Sequence, residues 1–187
     1  SQRINYICES LLISYQTIAN IDSIFAKARY AQEIKGRRVD INDKGIVNII
    51  DGRHPLIDKE KVVPVSISIG SEYNTLLITG PNTGGKTVSI KLVGILSLMV
   101  ASGIFPPCDS ESKLAIFENI FCDIGDEQNI EQNLSTFSSH LTNLIYIVNH
   151  VSENCLLLLD ELGGGTDPIE GSALAISLIE YFKYKGC

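Results

Sequence analysis

Apolar residues recur at intervals of three and four along the start of the chain, at Ile4, Ile7, Leu11, Ile18, Ile21, Phe25 and Ala28. No proline interrupts them, which is the pattern of a helix over about 4–34 whose apolar face packs on the rest of the molecule. Asn20-Ile21-Asp22 offers a break, with Asn20 or Asp22 as the cap of a second helix that stops near Lys35-Gly36. From Val39 the period changes. Short apolar runs at 45–50, 62–69 and 75–79 read as strands of one sheet, and Ser66 and Ser68 alternating with Val65, Ile67 and Ile69 mark a wet face. A helical stretch at 88–101 follows, closed by Gly103 and Pro106-Pro107. Strand candidates return at 114–117 and 120–123. The acidic run 123–132 reads as solvated loop, and a hydroxyl-rich segment at 134–140 opens a helix through Leu141, Leu144, Ile145 and Val148. Leu156-Leu157-Leu158-Leu159 is a buried strand, and a last helix runs from about Glu170 to Phe182. The fold class is α/β, divided into a helical segment at 1–38 and a second domain at 39–187.

Two stretches carry chemistry. Gly80-Pro81-Asn82-Thr83-Gly84-Gly85-Lys86-Thr87 fits the phosphate-loop pattern G-x-x-x-x-G-K-[ST] at every fixed position. Glycines let such a loop wrap so that successive backbone N–H groups point at phosphate oxygens. Lys86 would reach the β- and γ-phosphates of a nucleoside triphosphate, and the Thr87 hydroxyl would sit on the Mg²⁺ that bridges them. A strand before the loop and a helix from Val88 onward would put a helix N-terminus under the phosphates. A glycine-rich turn before a core helix is the alternative, and the strand–loop–helix order weighs against it. The second stretch is the leucine strand ending in Asp160-Glu161. Asp160 would face Mg²⁺, directly or through water, and Glu161 would act as base or positioner for the attacking water. Neighbouring strand residues point to opposite faces, which separates the two tasks; two solvated acids at a surface strand end are the alternative, and the all-leucine approach weighs against it. Around these lie Gly163-Gly164-Gly165-Thr166-Asp167-Pro168, a loop near the γ-phosphate, and Ser135, Thr136, Ser138 and Ser139, more hydroxyls than a helix cap needs. A second phosphate contact is expected there. Arg53 and His54 either touch the nucleotide or cap a turn, and for His54 the structural role is preferred.

Composition narrows the classes. The 187 residues are 44% hydrophobic and 20% charged, as in ordinary soluble proteins. No apolar run approaches the roughly 20 residues that span a bilayer. A net charge of −7 makes the chain a poor main grip on nucleic acid, and Lys27, Arg29, Lys35, Arg37 and Arg38 read as a solvated helix face. Five cysteines without a C-x-x-C pair suggest neither a zinc site nor a disulfide framework, so a reducing, cytoplasmic setting is expected. The start at Ser1 and the end at Cys187 read as those of an excised fragment.

The phosphate loop, Asp123-Ile124-Gly125-Asp126, Ser135-Thr136-Phe137 and Asp160-Glu161-Leu162-Gly163-Gly164-Gly165-Thr166-Asp167-Pro168 together resemble the ATPase domain of the MutS family, over about 45–187. The mismatch-repair branch typically has Met-Gly-Gly-Lys-Ser in the loop and Gly-Arg-Gly-Thr-Ser after the acidic pair. Thr83, Thr87, Gly164 and Asp167-Pro168 depart from that and resemble the second bacterial branch, the MutS-II proteins. The resemblance implies a P-loop NTPase of the ABC-ATPase-like type, a mixed sheet flanked by helices and preceded by a helical lever at 1–38. It also implies head-to-tail homodimers with ATP, or ADP, and Mg²⁺ at the interface. Nucleotide-binding residues would be Gly80, Pro81, Asn82, Thr83, Gly84, Gly85, Lys86, Thr87 and Val88; Lys86 and Glu161 would be catalytic, and Thr87 and Asp160 would hold Mg²⁺. Ser135 and Thr136 would approach the γ-phosphate bound by the partner, and Lys61-Val62-Val63 lies where the family packs adenine. By the same resemblance the whole protein acts on DNA recombination intermediates or stalled ribosomes and carries a nuclease domain elsewhere. The family's final strand, with its Thr-His sensor, would be truncated here, leaving a fragment that binds nucleotide but turns it over and dimerises poorly. Two other readings stay open: an ABC-type transporter or chromosome-maintenance ATPase, although no Leu-Ser-Gly-Gly-Gln occurs, and a nucleotide-gated binding module without significant turnover.

Overall fold

The computed structural model describes residues 2–81, 84–125 and 133–187. Its elements are α1 (Gln2–Glu33), β1 (Asp40–Asn42), β2 (Val47–Gly52), β3 (Val65–Ile69), α2 (Lys86–Ala101), β4 (Lys113–Ala115), β5 (Asn119–Asp123), α3 (Asn133–His150), β6 (Cys155–Leu159) and α4 (Pro168–Lys185). Four strands form a mixed sheet in the order β1-β4-β2-β3. β1 runs parallel to β4, while β2 is antiparallel to both β4 and β3. β5 and β6 form a separate parallel pair in which Asp123 lies opposite Leu159.

α2 joins the two sheets, touching β4 of the first and β6 of the second. Its side chains Leu92, Val93, Leu96, Met99 and Val100 share one apolar cluster with Val47 and Ile49 of β2, Leu114 and Ala115 of β4, and Leu156 and Leu158 of β6. Gly94 lets the helix come close to β6, because a Cβ there would lie 2.5 Å from Leu158 Cδ1. This packing fixes the start of α2 relative to the end of β6, where both chemical motifs sit.

Four expectations need correction. The run 75–79 is not a strand: none of the described strands pairs with it, and Leu77 is 76% exposed. An apolar run becomes a strand only when a neighbour takes up its backbone groups, so only two of the three runs expected in one sheet are there. α1 continues through Asn20-Ile21-Asp22 without a break. Its apolar residues from Ile7 to Phe25 are exposed rather than packed on the domain. Its last turns are anchored, through the Lys27 ammonium donating to Ser102 O at 2.8 Å, buried Ala31, and Tyr30 packed on the core with Ile34 just beyond the helix. Finally, Cys155 and Cys187 form a disulfide. No spacing rule reveals it, since the pairing arises because α4 returns its C-terminus to the start of β6.

Candidate nucleotide-binding site

The phosphate loop turns on glycine backbone geometry. Gly80 and Gly85 have φ of 147° and 75°, values that L side chains rarely adopt. Gly85 is the N-cap of α2 and offers no side chain to the first helical N–H groups, which leaves them suited to an anion. Gly84 N–H closes on Pro81 O at 2.9 Å, and the Lys86 ammonium folds back over the loop to donate to Gly80 O at 2.7 Å. Val88 lies 39% exposed in the first turn of α2. Asn82 and Thr83 lie outside the described residues.

The two motifs meet at Thr87 and Asp160. The Thr87 hydroxyl donates to Asp160 Oδ2 at 2.5 Å. Asp160 follows the last residue of β6 and is 9% exposed, and its N–H donates to Asp123 O at 2.9 Å. Glu161 is exposed, and strand alternation is not the cause: β6 has ended, and Glu161 has a left-handed backbone with φ of 51°. Its carbonyl accepts from Gly164 N–H at 2.8 Å, which turns the chain into the glycine loop. That loop is pressed against α4, because a Cβ on Gly163 would lie 2.3 Å from Gly171 O. Asp167 caps α4 by accepting from Ile169 N–H at 2.9 Å, so the helix starts at Pro168 rather than near Glu170.

His54 and Arg53 serve the backbone. His54 Nδ1 accepts from Leu56 N–H at 3.4 Å, and the Arg53 guanidinium donates to Val62 O at 3.3 Å. Burial, then the charge of Lys91, pushes the His54 pKa below its ordinary value. Val63, in the segment Lys61-Val62-Val63 where adenine is expected, is 75% exposed. Ser135 and Thr136 fall near the start of α3, within its described backbone; their side chains lie outside the description.

One polar cluster was not foreseen. Asp123, expected in a solvated run, is 6% exposed. Its Oδ1 accepts from Asn143 Nδ2 at 2.9 Å and its Oδ2 from His140 Nδ1 at 3.0 Å; Asn143 Nδ2 also reaches Cys122 O at 2.9 Å. Gly125 packs on the imidazole so closely that a Cβ would lie 2.6 Å from His140 Nε2. The signal in the sequence is that His140 and Asn143 stand three apart, hence on one face of a helix that is otherwise apolar-periodic.

Thr87 and Asp160 bring two hard oxygen donors together, which fits Mg²⁺, an ion usually held by one or two carboxylates with phosphate and water. Among the described residues no group of three or more His, Cys, Asp or Glu side chains gathers to hold a metal by itself. Nor is any described helix long and apolar enough to cross a membrane.

Comparison with known proteins agrees with this geometry. Residues 76–187 match the family described as MutS domain V, a P-loop ATPase domain. A protein named Endonuclease MutS2 from Finegoldia magna is 54% identical over 185 residues, 99% of this chain and 24% of its own length. Another of the same name from Caldanaerobacter subterraneus subsp. tengcongensis is 54% identical over 187 residues, covering 100% of this chain and 24% of its own. A third, from Lachnospira eligens, is 53% identical over 178 residues, 95% and 23% respectively. The chain thus spans about a quarter of the relatives it matches. Together with the match to domain V, this identity along nearly the whole chain means that the protein belongs to the MutS family, on the branch of the MutS2 relatives.

Proposed function

We propose that this chain is the ATP-binding and ATP-hydrolysing module of a larger MutS2-type protein that acts on DNA. The observation that carries the reading is the Thr87–Asp160 hydrogen bond, which joins residues 73 apart into one site. Gly80, Pro81, Asn82, Thr83, Gly84, Gly85, Lys86, Thr87 and Val88 bind the nucleotide. The Lys86 ammonium exchanges the neutral Gly80 carbonyl for the charged β- and γ-oxygens, where it stabilises developing charge. Thr87 and Asp160 would hold Mg²⁺, which when bound offsets charge on the phosphates. Glu161, held outward by its left-handed backbone, orients the attacking water and takes its proton.

In the whole protein two such domains, each at 39–187 and fed by a lever at 1–38, pair head to tail in the manner of ABC-type ATPases. Ser135 and Thr136 of each then face the γ-phosphate bound by the other. Contacts to DNA recombination intermediates or to ribosomes, and the nuclease activity that the relatives' name implies, lie in segments outside this chain. We place the protein in the cytoplasm, where the Cys155–Cys187 pair would be reduced for most of its life.

Calorimetry with Mg-ATP and Mg-ADP, run beside a turnover assay, tests the reading. Saturable binding is expected for the wild type and for Glu161→Gln, lost in Lys86→Ala, with turnover lost in both variants. Equal binding by wild type and Lys86→Ala would show that the loop is only a structural turn. Undiminished turnover in Glu161→Gln would remove that residue from the chemistry.

A further inference from the structure

We propose that Asp123 is a positioning residue that couples the start of α3 to Asp160, so that movement at the partner-facing helix alters the Mg²⁺ ligand of its own subunit. The inference rests on the nucleotide reading above. Its grounds are the contacts of Asp123 on three sides. The carboxylate takes one hydrogen bond from His140 and one from Asn143, both on α3. Its backbone carbonyl accepts the Asp160 N–H at 2.9 Å, one residue past the β5–β6 ladder. Asn143 adds a second bond to β5 at Cys122 O, and the close fit of Gly125 against the His140 ring leaves that imidazole little room to shift without moving the chain after β5.

A carboxylate 6% exposed and holding two side-chain donors from a neighbouring helix does not slide easily, because each broken bond leaves a buried charge short of a partner. The helix therefore moves with β5, and β5 moves with the residue that begins the acidic pair. His140 stands four residues after Thr136, one turn along the same helix. A γ-phosphate drawing on the first turn of α3 from the partner subunit would thus pull, through His140 and Asp123, on the backbone of Asp160. Groups that orient a metal ligand without touching the ion characteristically act on turnover in this way.

The test uses the full-length protein and compares His140→Ala, His140→Gln and Asn143→Ala with the wild type. His140 is on the partly exposed side of the pair, with a side chain 29% exposed, so its replacement leaves the core intact. With Mg-ATP varied, His140→Ala and Asn143→Ala should lower kcat about tenfold with KM within about twofold of wild type, and their Hill coefficient should fall towards one. His140→Gln keeps an N–H donor near Asp123 and should recover most of kcat and cooperativity. Wild-type kcat and Hill coefficient in both alanine variants would overturn the coupling while leaving the nucleotide site standing. So would equal losses in His140→Ala and His140→Gln with a matching fall in melting temperature, since that pattern belongs to packing alone. A wild-type protein without Mg-ATP turnover would instead remove the reading beneath the inference, and the inference with it.

Discussion

His54 shows how a single side chain ties the fold to pH. It is partly buried, accepts a backbone N–H through Nδ1 and faces Lys91, so its neutral form is favoured when folded. Its folded pKa lies below the ordinary 6.5, which means that the unfolded chain binds the proton more readily. The stability it contributes is therefore full above about pH 6.5 and is lost as pH falls through the lower, folded value. Urea midpoints measured between pH 7.5 and 5 should fall more steeply for the wild type than for His54→Gln, in which nothing titrates at that position. Parallel curves would mean that His54 is as well solvated folded as unfolded. At this scale the sequence was most informative where chemistry sits in contiguous residues: the loop at 80–87 and the pair Asp160-Glu161 are both recognisable without any tertiary contact. The buried hydrogen-bonding role of Asp123 was not, although the residue opens one of the recognisable stretches, because its partners His140 and Asn143 arrive from another element. The left-handed turn at Glu161 was equally hidden, since glutamate carries no local signal for positive φ.

Among the elements, periodicity located the helices well and the strands only where partners exist. α2 and α3 follow their three-and-four spacing, and β2, β3, β5 and β6 lie on the expected apolar runs. The run 75–79 has the same composition but remains outside both sheets, because strand formation is settled by backbone pairing that a single segment cannot specify. β1 is a three-residue strand, too short for alternation to mark it. The placement of α4 carries a consequence for stability. Gly186, at φ of 84°, caps the helix and turns the chain so that Cys187 meets Cys155 at the start of β6. The bridge spans 32 residues and encloses β6, Glu161, the glycine loop and α4. Restricting the unfolded chain over such a loop is worth about 3–4 kcal/mol. Denaturation with and without a thiol reductant should therefore differ by an amount of that order, and Cys187→Ser should behave like the reduced wild type in either buffer. A reductant effect that persists in Cys187→Ser would place its origin elsewhere in the chain.

For the molecule as a whole, the question is how far α1 shares the stability of the rest. Helix formation in water needs tertiary packing more than intrinsic preference, and α1 is rich in isoleucine, whose branched side chain loses rotamer freedom in a helix. From Ile7 through Phe25 its large apolar residues stand in solvent, Leu12 at 66% and Ile18 at 67% among them. Packing begins at Lys27, whose ammonium reaches Ser102 O, and continues through Tyr30, Ala31 and Ile34 to Gly36. A Cβ on Gly36 would lie 2.2 Å from Phe105 O, so the chain there is pressed against the loop after α2. Local opening free energy should accordingly rise along the helix instead of being shared along its length. Hydrogen exchange followed by mass spectrometry at low protein concentration should show residues 7–24 exchanging at nearly the rate of an unstructured peptide, with strong protection from Lys27 to Ile34. Raising the concentration supplies a second check, because exposed apolar helices that find one another become protected together. Protection across 7–24 that is strong and independent of concentration would contradict the argument, for it would require the first turns of α1 to hold themselves without a packing partner.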